Sequence, residues 1–288
     1  MKKLLLAWFS GAMLACGVAQ AETSIWQVDK DGDRLYLGGT IHVLSASDLP
    51  LPATFHNIYD NTDVLVLETD IAQLTQPENA MRLLTMLSYT DGRVLKDVIK
   101  PETYRKLEEY AAKERIPVQT FDRLTPAGVA LTVLSLELAK AQIQNEGVDK
   151  IFYGRAQAGG KPVLGLESVD EHLTYVAGMG DGVEDQFISQ TLADADKTRE
   201  GLRTIIDAWK TGDVDTLEKA VISTTPTDYP QLYEKLLVER NNNWMPQILQ
   251  MFDTPEEEFV LVGAAHLLGP EGLLKQLTDR GYQIQQLQ

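Results

Sequence analysis

LYLGGTIHVL, residues 35–44, decides the fold: an apolar run passes through Gly38, Gly39 and Thr40 and ends on His42. VLVGAAHLLG, residues 260–269, repeats the pattern around Gly263 and His266. Each reads as a strand that stops where side chains become small, with a histidine just beyond. Glycine there allows close approach of backbone or ligand, or a positive φ as the strand ends. Open α/β sheets place their ligands at the C-terminal ends of strands.

Outward from these anchors, SIWQVD and RLYLGGT flank KDGD (Lys30–Asp33) as a hairpin. TDVLVLETD (62–70) reads as a strand buried on both faces, closing on Glu68. PVLGLES (162–168) repeats its ending with Glu167, and 258–263 and YQIQQL supply further strands; IPVQTF (116–121) is a short strand candidate. Helices are predicted over 77–90, 101–115, 126–144, 149–158, 184–208, 213–222, 228–252 and 270–280. The nearly all-apolar helix from Pro126 is expected to pack centrally, and GMGDG (178–182) is read as a loop. The predicted fold class is α/β: a mixed central sheet flanked by helices, with a helical insertion over about 170–252. The paired Gly-x-x-His and Leu-Glu-Thr/Ser endings also suggest two pseudo-repeated halves around one site.

At 288 residues the chain can bury a large core. Lys2 and Lys3, the apolar run Leu4–Ala15 and AQA (Ala19–Ala21) form a signal-peptide pattern, with cleavage expected after Ala21. A lipid anchor at Cys16, which follows MLA, is the alternative. Residues 22–288 are expected to form one α/β domain. Removing Lys2 and Lys3 takes the net charge from −16 to −18, and the one cysteine leaves with the signal. Such acidity argues against nucleic acid and anionic lipid surfaces. No later apolar run could span a bilayer. A periplasmic or secreted protein is expected, not inserted in the membrane after cleavage; its oligomeric state is open.

With glycine at about 7% of residues, two of four histidines having glycine three positions earlier by accident has odds of roughly 3 in 100. A single strand-end histidine could be satisfied by one carbonyl; the matched pair points to function. His56 and His172 lack that context and read as surface or packing residues. Glu68, at the end of so apolar a strand, needs a partner: a metal held by the histidines, or an arginine. It could be a third metal ligand or the base that deprotonates a water. Glu167 has the same setting, with Lys161 as a ready ion-pair partner. In ERNNNWM (239–245), Arg240 reads either as part of a solvated helix face or as a carboxylate or oxyanion clamp. Asp149 reads as an N-cap. There is no His-Glu-x-x-His, no Gly-x-Ser-x-Gly and no Walker loop.

The blocks YLGGTIHVL, VLVLETD, GVDKIFYGRAQAGGKPVLGLES, ERNNNWM and FVLVGAAHLLGPEGLLKQLTDRGYQI, in that order, resemble the TraB/GumN family, related to the TIKI proteins, over about residues 25–287. The resemblance implies an α/β fold with both Gly-x-x-His histidines facing one cleft. It implies divalent-metal-dependent peptide hydrolysis, with manganese or cobalt, or else zinc, as the ion. His42, His266 and Glu68 would hold the metal, and Glu68 and Arg240 would be catalytic. Asn241 matches the family together with Arg240, whereas Glu167 and Asp149 fall in the middle block without a defined family role; Asn241 and Glu167 are expected to contact a peptide or protein substrate. A branch resembling erythromycin-esterase-like enzymes uses a histidine base without metal. The expectation is a metallopeptidase-like hydrolase; a non-catalytic protein that sequesters a peptide or small ligand in the same cleft is the alternative.

Overall fold

The computed structural model describes residues 23–143, 147–222 and 230–288. The expected signal segment, with Cys16 and the site after Ala21, lies outside them. Six strands form one mixed sheet. β1 (Ile25–Lys30) and β2 (Asp33–Thr40) make the expected hairpin. Asp31 and Gly32 turn it with φ of 55° and 106°, the left-handed pair that a two-residue hairpin loop demands. β3 (Val64–Leu67), β4 (Val163–Gly165) and β5 (Glu258–Gly263) follow, and β6 (Gln283–Gln286) ends the series.

The spatial order is β4-β3-β5-β2-β1-β6. β4, β3, β5 and β2 run parallel; β1 pairs antiparallel with both β2 and β6, so β1 alone runs against the other five. Central β3 and β5 are buried along nearly their whole length, which explains their unbroken apolar sequences. Phe55, Phe152, Trp209 and Phe259 pack together in the main core, with Phe55 and Trp209 ring centroids 5.2 Å apart. The two Gly-x-x-His copies follow neighbouring strands, as do the two Leu-Glu copies, so the repetition lies within a single sheet. Helices spanning 169–251 separate β4 from β5 in sequence, as the insertion reading expects.

Several local expectations need correction. IPVQTF forms a 3-10 turn, Val118–Thr120, with Pro117 as its N-cap residue; proline has no N–H to give to a ladder. The apolar helix Pro126–Lys140 packs into a second, smaller core with Leu107, Phe121 and Ile188 rather than against the sheet. Helix 184–208 is two helices, Glu184–Asp194 and Thr198–Thr211, joined by a 3-10 turn. The last helix begins at Leu273, because Gly269 turns with φ 81° and Gly272 is its N-cap residue. The helix expected from Asp149 begins at Val148 with Gly147 as N-cap residue, which leaves Asp149 free for another role. Among the described residues no helix is long and apolar enough to cross a membrane.

Candidate functional site

The four parallel strands deliver one site residue each at their C-terminal ends. Glu68 immediately follows β3, and Glu167 lies two residues past β4. The ladder continues beyond the strands, with Leu166 N–H donating to the Leu67 carbonyl and Glu167 N–H to that of Glu68, so the carboxylates emerge side by side. His266 sits in the short helix Ala264–Leu267 after β5, and His42 two residues past β2. β2 and β5 are paired with Thr40 opposite Gly263.

Gly263 is where the groups converge. A Cβ there would lie 3.2 Å from Glu68 Oε1, 3.5 Å from His42 Nε2 and 3.7 Å from His266 Cδ2. Close approach, not a positive φ, therefore explains this glycine: its φ is −50°. Gly39 is also a close-approach glycine, its missing Cβ facing Ala264 Cβ at 3.2 Å.

Arg240 organises the buried half of the site. It lies on the helix Glu239–Met251, which continues a π-helical turn, Glu234–Val238. Its side chain is 9% exposed, so the solvated-face reading fails. Nε donates to Glu167 Oε2 at 3.0 Å, and Nη2 donates to Glu68 Oε2 at 2.6 Å and Glu167 Oε1 at 2.8 Å. Nη1 donates to His266 Nε2 at 2.9 Å and to the Leu236 carbonyl at 3.4 Å. A guanidinium has five N–H groups, and all five are engaged. Arg240 thus has no donor left for a substrate carboxylate in this arrangement; it is the fixed cation between two glutamates.

The same accounting moves Glu167 and Asn241 out of direct substrate contact. Besides Arg240, Glu167 accepts from His172 Nδ1 at 2.8 Å and Trp244 Nε1 at 3.1 Å. Lys161, its expected partner, donates instead to the carbonyls of Tyr59 and Thr62. Asn241 is 1% exposed and bonds His266 and the Glu271 carbonyl. His172, read as ordinary from sequence, belongs to the site; so does Trp244, whose ring packs tilted against His266 with centroids 4.4 Å apart. The i, i+4 spacing of Arg240 and Trp244 was the available signal for Trp244.

The hydrogen bonds fix the tautomer of His266. Because arginine only donates, Nε2 must carry the lone pair, and Nδ1–H donates to Asn241 Oδ1 at 2.7 Å. Burial, reinforced by the Arg240 charge against a partial offset from Glu68, pushes its pKa down to about 3, so the ring stays neutral. Burial alone would raise the Glu68 carboxyl, but Arg240, the histidines and the Gly263 N–H hold it well below the usual range. His42 differs. Its side chain is 60% exposed to the cleft, with Nε2 4.0 Å from Glu68 Oε1 and Nδ1 3.5 Å from Asp149 Oδ1. Desolvation by the surrounding cleft walls opposes its charge, yet Asp149 and Glu68 raise its pKa to about 9.

These residues open into a cleft of about 570 Å³, whose far wall is apolar, with Leu74, Val176, Met179, Leu202, Ile205 and Leu237. Thr40, Thr69 and Asp149 also line it, and each has a buried side-chain oxygen without a hydrogen-bond partner among the described residues.

The donor chemistry fits a divalent ion in part. His42 Nε2 and Glu68 Oε1 lie 4.0 Å apart, somewhat wider than the roughly 3.4 Å that two bonds of about 2.0–2.2 Å span at a tetrahedral angle, so the pair would have to draw together to hold one ion. The third expected ligand, His266 Nε2, is held by Arg240. Glu68, Glu167 and His172 also bring ligand atoms within 4.8 Å of one another, but Arg240 already bridges the two carboxylates.

No curated protein and no solved structure matches the chain. The TraB/PrgY/gumN family model matches residues 24–286, which contain every strand and every residue of this site. The chain belongs to the TraB/PrgY/gumN family.

Proposed function

We propose that the protein is a periplasmic or secreted hydrolase of peptide-like substrates, with its nucleophilic water placed above Gly263 between His42 and Glu68. The observation that carries this reading is the convergence of an exposed histidine and a buried carboxylate over a residue with no side chain. Arg240, Glu167, Asn241 and His266 are paired with one another, whereas His42 faces the cleft.

In this reading Glu68 orients the water through Oε1, and Arg240 keeps that carboxylate ionised. In its neutral form, which gains population as the pH rises toward 9, His42 takes the water's proton at Nε2 and returns it to the leaving amine. The apolar wall holds the substrate's side chains and excludes bulk water from the scissile bond. In an ion-dependent form, His42 Nε2 and Glu68 would instead hold a divalent ion such as manganese, cobalt or zinc, with His266 joining where Arg240 releases it; the ion would then lower the pKa of the water toward about 7 in place of the histidine base.

Purified protein should cleave members of a peptide library, and His42→Ala should abolish cleavage while leaving the thermal melt nearly unchanged. Chelation followed by added manganese separates the ion-dependent from the ion-free form of the mechanism. Absence of cleavage under both conditions overturns the hydrolase reading.

A non-catalytic binder remains the second reading, because the saturated Arg240–Glu167 network leaves few free polar groups to do chemistry. Peptide binding without turnover would establish it.

A further inference from the structure

We propose that Asp149 is the positioning residue of His42: it holds the imidazole through Nδ1 and thereby aims Nε2 at Glu68 and the water. The proposal rests on the hydrolase reading for its catalytic consequence, but the contact itself can be tested separately.

Three observations support the assignment. First, Asp149 Oδ1 lies 3.5 Å from His42 Nδ1 and is buried without a hydrogen-bond partner among the described residues. A buried, unsatisfied carboxylate oxygen is costly, and the imidazole N–H beside it is the donor in reach after a small ring movement. Second, the backbone is built to bring the two together. Val148 N–H donates to the Ile41 carbonyl at 3.1 Å, tying the start of helix Val148–Gly159 to the residue before His42. Third, Gly147 makes that contact sterically possible. A Cβ at 147 would lie 2.5 Å from Asp149 Oδ1 and 2.6 Å from His42 Cα, distances that real side chains do not reach.

With Nδ1 facing one carboxylate, the opposite ring nitrogen points to the other, Glu68 Oε1 at 4.0 Å. A histidine whose second nitrogen is held by a carboxylate has a defined tautomer and a fixed ring, and losing such a partner costs about 10–100-fold in activity or ligand affinity. Asp149 also sits in the first turn of its helix, where a carboxylate favours the backbone dipole. That role alone would leave the His42 ring indifferent to its removal.

The test is Asp149→Asn, with Asp149→Glu as the conservative variant, in the full chain. At alkaline pH, where the ring is neutral, the imidazole 15N shifts of His42 should show Nδ1–H in wild type. They should show a mixed or inverted tautomer in Asp149→Asn, and a return toward wild type in Asp149→Glu. On a peptide cleaved by wild type, kcat should fall about 10–100-fold in Asp149→Asn with KM little changed. Unchanged His42 shifts in a folded Asp149→Asn protein overturn the proposal. If the shifts move but no peptide is cleaved even by wild type, the contact stands and the hydrolase reading fails instead.

Discussion

Asn241 and His266 grip each other at both ends: the imidazole Nδ1–H donates to Asn241 Oδ1 at 2.7 Å, and Asn241 Nδ2 donates to the His266 carbonyl at 3.1 Å. Nδ2 also reaches the Glu271 carbonyl at 3.0 Å. One amide thus fixes the ring and the turn that carries it. Asn241→Leu, which keeps the volume, should cost about 1–3 kcal/mol in urea unfolding, because the buried His266 Nδ1–H and the His266 carbonyl lose their Asn241 partners, while the Glu271 carbonyl keeps Gln276 Nε2. A variant as stable as wild type would show that the bonds are replaceable.

Arg240 should tolerate no substitution quietly. Arg240→Met leaves Glu68 and Glu167 buried beside each other without their shared cation, and about 3–5 kcal/mol should be lost. Arg240→Lys should recover little, since a point charge on a single stem cannot span two carboxylates and His266 at once. Denaturant midpoints of the two variants check both statements.

Stability should peak near pH 6.5, the ordinary histidine value, and fall on either side. His266 is neutral in the folded chain down to about 3, whereas the unfolded chain protonates it below 6.5. The unfolded state therefore binds more protons as the pH drops, and stability is lost. His42, raised to about 9, contributes stability that is complete below 6.5 and is lost as the pH rises through 9. His42→Gln should flatten the alkaline limb and His266→Asn the acid limb of unfolding midpoints measured against pH.

Trp209 Nε1 donates to the Gly39 carbonyl at 2.6 Å, and both are buried at the end of β2, three residues before His42. Trp209→Phe should cost about 1–3 kcal/mol, because the carbonyl of Gly39 loses that donor. Its amide protons at the end of β2 should exchange faster than in wild type, while those of β6 should not.

What the sequence made legible was the set of strand ends. Glycine beside histidine, and a glutamate closing an apolar strand, are local signals of a site at a sheet's C-terminal edge, and His42, Glu68, Glu167 and His266 all lie there. Their pairing was not local. Lys161 looked like the partner of Glu167 because the two share a strand, but Arg240 arrives from 73 residues away and takes both carboxylates. Asp149 is hidden for the same reason, since the fold brings His42 to it; His172 lies only five residues from its partner Glu167, but its membership depends on that glutamate being in the site. Arg240 entered the site by family resemblance alone, since its burial depends on which helix face meets the sheet.

The first and last strands, β1 and β6, pair with each other, and Thr23 N–H donates to the Leu287 carbonyl at 2.8 Å. Among the described residues the backbone from Thr23 to Leu287 comes back almost to its own start. A circular permutant with residues 23 and 288 joined by a short linker and the chain opened at the exposed Asp91–Gly92 bend would keep all six strands intact. The cleft is defined by the order of strands in space, and that order survives a change in where the polypeptide is cut.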